Sequence, residues 1–237
     1  MTARTILIGA GGTGSIIARP LVHYLIAATK GEYELVIADG DEVETKNLAR
    51  QLFDPDAVGH SKAARLASSL PGHTTVHEGY IDDTNIDTLF RENDRAILAV
   101  DNFDCRRLID AKATSFENFT VINPGNEDWT STCQLHIRRG GVNVTPRISY
   151  MHPEITDAEA YVPTDAGPAC GVRAVLGEEQ TIAANMLAAA MALNALVAVD
   201  QFDLNERPLD WHETYYDLIK SKAGGPDWRE VGDGTWA

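Results

Sequence analysis

The chain has few cysteines: Cys105, Cys133 and Cys170 are the only three in 237 residues, and no two form a C-x-x-C pair. An odd number of widely spaced thiols argues against a disulfide framework and a four-cysteine zinc site. It fits a reducing compartment, so a cytoplasmic location and no zinc are expected. Positive charge is also short. Twenty Lys and Arg against 35 Asp and Glu leave a net charge of −15, the wrong sign for a nucleic-acid surface. Long apolar runs are scarce. Only Thr181 to Val199 approaches the length of a membrane span, and it contains Asn185, Asn194 and few large apolar side chains. It therefore reads as a buried helix, and no membrane partner is expected. The first residues lead straight into a strand-like run, so no signal peptide is expected. The seven histidines show no metal-ligand spacing. What remains is ordinary for a folded protein: 44% apolar residues, a mean hydropathy of −0.20, and enough chain for one large α/β domain.

The organising stretch is Ile6-Leu7-Ile8-Gly9-Ala10-Gly11-Gly12-Thr13-Gly14-Ser15. An apolar run ends in a glycine cluster, and apolar periodicity follows from Ile16 to Ala28. This predicts a buried strand, a tight turn and a helix. Gly9, Gly11 and Gly14 fit G-x-G-x-x-G, and Gly12 tightens the loop. Glycines let backbone approach a phosphate, and the helix start presents N–H groups and a positive dipole end to it. A strand–helix turn with no ligand is the alternative. The second strand is expected over Tyr33 to Asp39. An acid at such a strand end commonly bonds ribose hydroxyls, and both Asp39 and Asp41 qualify. Spacing does not choose between them, and one could simply cap the loop.

Beyond Asp39 runs a polar segment: Asp41-Glu42-Val43-Glu44-Thr45-Lys46-Asn47-Leu48-Ala49-Arg50-Gln51-Leu52-Phe53, then Val58-Gly59-His60-Ser61-Lys62-Ala63. Arg50 offers a fork to phosphoryl oxygens. Lys62 offers a point charge at the start of a helix that Ser61 caps and that runs to about Leu70. A solvated loop with scattered charges is the plain alternative.

These residues together resemble the ThiF/MoeB/HesA group, the bacterial relatives of ubiquitin-activating E1 enzymes. The likeness lies in the G-x-G-G-x-G-S loop, D-x-D-x-V-E-x-x-N-L-x-R-Q-x-F, V-G-x-x-K-A and a later D-N-x-x-x-R, spanning Thr5 to Arg106. The resemblance implies a Rossmann-like, doubly wound α/β sheet with a parallel N-terminal half and antiparallel C-terminal strands. It implies one adenylation domain over 1–237: a nucleotide-binding half (1–125), then a crossover loop, a small-residue helix and C-terminal strands (126–237). The implied reaction is attack of a C-terminal carboxylate of a small ubiquitin-like or sulfur-carrier protein, ending in glycine, on the α-phosphorus of ATP, with loss of pyrophosphate. Carried over by position, Asp41 would hold the ribose, Asn47, Arg50 and Lys62 the phosphates, and Gln51 would line the pocket. Asp101 would be the Mg²⁺-linked acid, with Asn102 beside it. A homodimer is also implied.

Farther along, strands are expected at Thr75 to Tyr80, at Arg95 to Val100 ending in Asp101-Asn102, and at Phe119 to Asn123, where Pro124-Gly125-Asn126 breaks the run. A short helix is expected over Asn85 to Phe90, and another over Phe103 to Phe116, for which Asp101 could be the N-cap. Arg106 lies one turn into that helix and could support Asp101. Cys105 reads as a packed residue. Thr130 to Arg138 alternates, with Cys133, Leu135 and Ile137 on an apolar face and Thr132, Gln134 and His136 on a wetter one. From Gly140 to Pro168 there is little pattern, which reads as a mobile crossover loop. Cys170 follows it between Pro168 and Gly171, near Arg173. In the resembled family a cysteine in such a loop can take the activated carbonyl as a thioester, though several members stop at the adenylate. A helix is expected over Glu178 to Val199. The end of the chain suggests a hairpin, Glu213 to Ile219 and Trp228 to Val231, about Gly224-Gly225-Pro226.

Two features depart from the family. The paired zinc cysteines are missing, and only Arg4 precedes the glycine loop, where many members carry an arginine that reaches the partner subunit's nucleotide. Three other functions compete. An NAD-dependent oxidoreductase would share the glycine loop but leaves Asn47, Arg50 and Lys62 unexplained. A non-catalytic nucleotide-binding module is the second, and a tRNA-modifying relative, disfavoured by the acidic charge, is the third.

Overall fold

A computed structural model describes residues 4–127, 129–156, 181–205 and 207–225. The expected strand–turn–helix opens the chain as β1 (Thr5–Ile8) and α1 (Gly12–Thr29). Next come β2 (Leu35–Ala38), α2 (Lys62–Ser68), β3 (Thr75–His77), α3 (Ile86–Leu89) and β4 (Arg95–Leu98). These are followed by α4 (Phe103–Ala113), β5 (Phe119–Asn126), β6 (Thr130–Arg139), β7 (Val142–Asn143) and α5 (Ile148–Met151). The last elements are α6 (Ile182–Asn205), β8 (Glu213–Asp217) and β9 (Lys222–Gly224). They build one sheet in the order β3-β2-β1-β4-β5-β6-β8-β9, with β7 paired to β6. Pairing is parallel from β3 to β5. It becomes antiparallel from β6 onward. The doubly wound fold with an antiparallel end is therefore the observed one.

The parallel strands are apolar throughout because both faces are covered. Leu7, Ile37, Ile97 and Ile122 point to one face, under α1, α2 and α6. Ile6, Ile8, Val36, Ala96, Leu98 and Val121 point to the other, with α3, α4 and α5 over it. Alternation along each strand divides neighbours between the two cores.

The alanine-rich helix packs as a core element. Among the described residues α6 is the one helix long and apolar enough to cross a membrane. Its Ala188, Ala192, Leu196 and Val199 are fully buried with α1 and the sheet. Small side chains permit that close approach. It runs past the expected end at Val199 because charged residues tie its last turns down. Asp200 bonds Arg95 at 2.7 Å and Tyr24 at 2.6 Å, and Asp203 bonds Arg139 at 2.6 Å.

Several expectations are corrected. Strand β5 continues through Pro124 to Asn126, where Pro124 pairs with Cys133. Pairing with β4 stops at Ile122, so the missing N–H falls where only one neighbour remains. The second face of β6 is not wet: Gln134 and His136 are buried beside Cys133. His136 donates from Nε2 to Asn143 Oδ1 at 3.0 Å. The segment after Gly140 holds β7, α5 and a 3₁₀ turn over Pro153–Ile155 rather than a plain loop. The final hairpin turns earlier than expected. Asp217 Oδ1 accepts from the backbone N–H groups of Ile219 and Lys220, and Ser221 has φ +51°. This side-chain turn replaces the glycine pair as the reversal point. Cys170, Arg173 and Trp228 to Val231 lie outside the described residues.

Candidate functional site

Open α/β sheets bind ligands beyond the carboxyl ends of their strands, where the chain leaves β1 for one side and β4 for the other. A cleft of about 570 Å³ lies there, lined by Gly9, Gly11 and Gly12, by the turns after β2 and β4, and by Arg50, Gln51 and Lys62. Gly9 takes φ +90°, and a Cβ on it would stand 2.3 Å from the Ala99 carbonyl oxygen. A Cβ on Gly14 would come within 1.9 Å of the Gly9 carbonyl oxygen. Gly14 does not line the cleft. Its lack of a side chain lets α1 approach β1. Gly11, at the N-cap of α1, carries no side-chain capping bond, so the first N–H groups of this 18-residue helix face the cleft uncapped.

The two candidate acids after β2 divide their work. Asp39 Oδ2 accepts from the Ala10 N–H at 2.6 Å and Oδ1 from the Asp41 N–H at 2.7 Å, so it braces the glycine loop. Burial raises its carboxyl above the usual range against the pull of those bonds. Asp41 points outward. It accepts from Lys62 Nζ at 2.8 Å and from the Tyr80 hydroxyl. Partial burial would raise it, but the Lys62 and Tyr80 bonds outweigh that and hold it below the usual carboxylate range. Lys62 starts α2, and Ser61 caps that helix by accepting from the Ala64 N–H at 3.2 Å, as its sequence predicts.

Between these strands a 3₁₀ segment, Thr45–Ala49, delivers Asn47 and then Arg50 and Gln51. Asn47 Oδ1 accepts from the Glu44 N–H at 2.9 Å, which shapes the turn. Gln51 is buried with its Oε1 unpartnered among the described residues. Other cations lining the cleft are paired: Lys62 to Asp41, Lys46 to Glu44, Arg107 to Asp104. The Arg50 side chain has no hydrogen bond or ion pair among the described residues, its backbone N–H alone being bonded, to the Asn47 carbonyl at 3.1 Å, so its fork remains available to an anion.

After β4, Asn102 is the N-cap of α4, with its Oδ1 accepting from the Cys105 N–H at 2.8 Å. Asp101 is therefore not the cap. Its carboxylate is exposed in the cleft with no partner among the described residues. Arg106 does not reach it either. It donates to the Val100 carbonyl at 2.6 Å and to Asn123 Oδ1 at 2.8 Å, fixing the turn from which Asp101 projects. Cys105 and Cys133 are buried thiols, pushed up by burial to about 11 and about 12. Arg4 is bonded to Asp94 at 2.6 Å and to the Leu89 carbonyl at 2.6 Å. It precedes β1, at the opposite end of the strand from the glycine loop. Sequence reasoning missed Tyr80 and Asn126 as lining residues. Tyr80 follows β3, so the strand-end rule that singled out Asp101 also applies to it. Asn126 was hidden by ending β5 too early.

The profile of the ThiF family matches residues 1–222. The chain belongs to the ThiF family. Among curated relatives, it is 34% identical over 129 residues to the SAMP-activating enzyme E1 of Haloferax volcanii, covering 52% of this chain and 45% of that protein. It is 35% identical over 117 residues to the probable adenylyltransferase/sulfurtransferase MoeZ of Mycobacterium tuberculosis, covering 47% and 28%. The chain thus spans less than half the length of these relatives. Among solved structures, Escherichia coli MccB with ATP matches with a TM-score of 0.66 at 18% identity, over 95% of this chain and 63% of that one. MccB with AMPCPP and selenomethionine MccA matches with 0.64 at 19%, over the same shares. At such identities the likeness shows the family's fold.

Proposed function

We infer that the protein adenylates a carboxylate at the C-terminus of a small carrier protein or peptide. The observation that carries this reading is Arg50, an unpaired guanidinium in an acidic cleft, beside the uncapped start of α1. ATP fits the residues present. The N–H groups at Gly12 and Thr13, Arg50 and Lys62 would hold its phosphates, and Asp41 its ribose. Mg²⁺ also fits. The described residues hold no cluster of three or more His, Cys, Asp or Glu for a metal, but Mg²⁺ usually needs only one or two carboxylates plus substrate phosphates. Asp101 supplies such a carboxylate. The ion, when bound, would neutralise charge on the phosphates.

The reaction needs little from the protein beyond placement. A carboxylate oxygen bonds the α-phosphorus, the bond to the bridging oxygen breaks, and pyrophosphate leaves with that electron pair. No proton is transferred. Arg50 and Lys62 stabilise charge on the phosphoryl oxygens, and Asp41 loses Lys62 as it turns to the ribose. The names of the relatives support a ubiquitin-like or sulfur-carrier partner, and MccB with MccA supports a peptide. A homodimer in the cytoplasm and a thioester on Cys170 belong to the same reading. The test is carrier-dependent ATP–pyrophosphate exchange, with calorimetry against ATP and NAD. Binding of NAD without ATP would overturn the reading and favour a dehydrogenase.

A further inference from the structure

A pair of side-chain amides lies on the β5 side of the glycine loop, across from Arg50 and Lys62. Asn126, at the end of β5, lines the cleft and donates from Nδ2 to Asn185 Oδ1 at 2.5 Å. Asn185 comes from the first turn of α6 and is fully buried. Its Nδ2 has no partner among the described residues. That group faces Gly12: a Cβ built on Gly12 would stand 2.4 Å from Asn185 Nδ2. The amide therefore occupies the space a side chain at the first residue of α1 would take, next to the helix's free N–H groups. A buried donor left without an acceptor is destabilising, and native proteins rarely keep one without a use.

We propose that Asn185 is a ligand-binding residue whose Nδ2, oriented by Asn126, donates to an anionic oxygen of substrate at the start of α1. The inference rests on the proposed function in taking the cleft's substrates to be anionic. Two substrate groups carry that oxygen, the phosphates of the nucleotide and the carboxylate of the acyl partner. A neutral amide suits either. It adds a hydrogen bond without the ion pairing that would blunt a carboxylate nucleophile. Gly12 is needed here for space: a side chain would displace the amide.

Wild-type protein decides first. The Asn185 side-chain ¹⁵N–¹H resonances are followed by NMR during titration with inorganic phosphate, with glycylglycine and with sodium chloride at matched ionic strength. A shift with phosphate or glycylglycine, but not chloride, is expected. A shift with neither overturns the proposal. Because no ATP is used, this result stands even if the protein proves not to bind ATP, which would instead overturn the proposed function. Asn185→Asp then identifies the source. Burial at this fully enclosed position raises the new carboxyl above its ordinary range; a protonated acid still donates and an ionised one repels, so the variant gains a pH dependence that loss of mere packing would not produce. If the oxygen is a phosphate's, Mg–ATP binding weakens tenfold or more at pH 8 and recovers toward pH 5. If it is the carboxylate's, Mg–ATP binding stays within twofold and KM for the carrier rises tenfold or more with the same pH dependence. Wild-type behaviour in both measurements overturns the proposal.

Discussion

Lys62 Nζ stands 2.8 Å from Asp41 Oδ2, with the lysine side chain 8% exposed and the aspartate 46%. The pair closes on itself, although in the proposed function the two residues serve different parts of one nucleotide. Binding must therefore exchange this contact for two new ones. Lys62→Ala is expected to weaken Mg–ATP binding by tenfold or more, since a charge-assisted bond to phosphate is lost. Asp41→Ala should weaken it less, because freeing Lys62 offsets part of the lost ribose contact. Calorimetry checks the order, and a Lys62→Ala variant of unchanged affinity would remove Lys62 from the site.

Asp101 is exposed and unpartnered among the described residues. Asp101→Ala should therefore leave stability within about 0.5 kcal/mol of wild type. Carrier-dependent pyrophosphate exchange should fall by at least a hundredfold if the carboxylate anchors Mg²⁺. Near-normal exchange would exclude Asp101 from the chemistry.

Gly14 and Gly11 should respond differently to alanine. The Gly14 Cβ would meet the Gly9 carbonyl oxygen at 1.9 Å, whereas that of Gly11 finds Gln51 Nε2 at 3.7 Å. Gly14→Ala should destabilise by about 3 kcal/mol or more. Gly11→Ala should cost less than about 1 kcal/mol, an ordinary loss at an N-cap. Urea unfolding of both variants measures the contrast.

His152 carries a pH dependence. Burial works against its imidazolium, but Glu154 at 3.1 Å and Glu213 at 3.0 Å outweigh this and raise it to about 9. The folded value exceeds the unfolded one of about 6.5, so the stabilisation is complete below that pH and is lost as pH rises through 9. His212 is lowered by burial, so its contribution is lost on the other side, as pH falls below about 6.5. Wild type should lose more stability than His152→Gln between pH 6.5 and 9. Comparing the two cancels the buried thiols, which titrate in both. Equal slopes would refute the assignment.

The thiols separate by burial. With Cys105 and Cys133 pushed up to about 11 and about 12, neither should react with a thiol reagent in the native protein at pH 8. In the proposed function Cys170 reacts, and Cys170→Ser keeps adenylation but loses any thiol-sensitive adduct with the carrier. An adduct that survives Cys170→Ser would place the covalent step elsewhere or leave the adenylate as the final product.

The nucleotide-binding half was legible from local rules. Apolar runs at Thr5, Leu35 and Arg95, the glycine cluster between Gly9 and Gly14, and Ser61 ahead of Lys62 each act over a few residues, and each element formed where its pattern lay. What the sequence determined is therefore the order of strands and helices and which side chains leave the strand ends toward one crevice. Tertiary structure decided how those side chains share partners. Nothing in spacing distinguishes Asp39 from Asp41, because the difference is which of them the Ala10 N–H reaches. Nothing local makes Asn102 rather than Asp101 the cap, carries β5 past Pro124, or extends α6 to Asn205 on bonds to Arg95 and Arg139. Nor does any local pattern bring Asn185 to within 3 Å of where a Gly12 side chain would begin, 173 positions earlier in the chain. Hydrogen bonds and close approaches depend on distance in space, and only the packed sheet brings residues so far apart in sequence together.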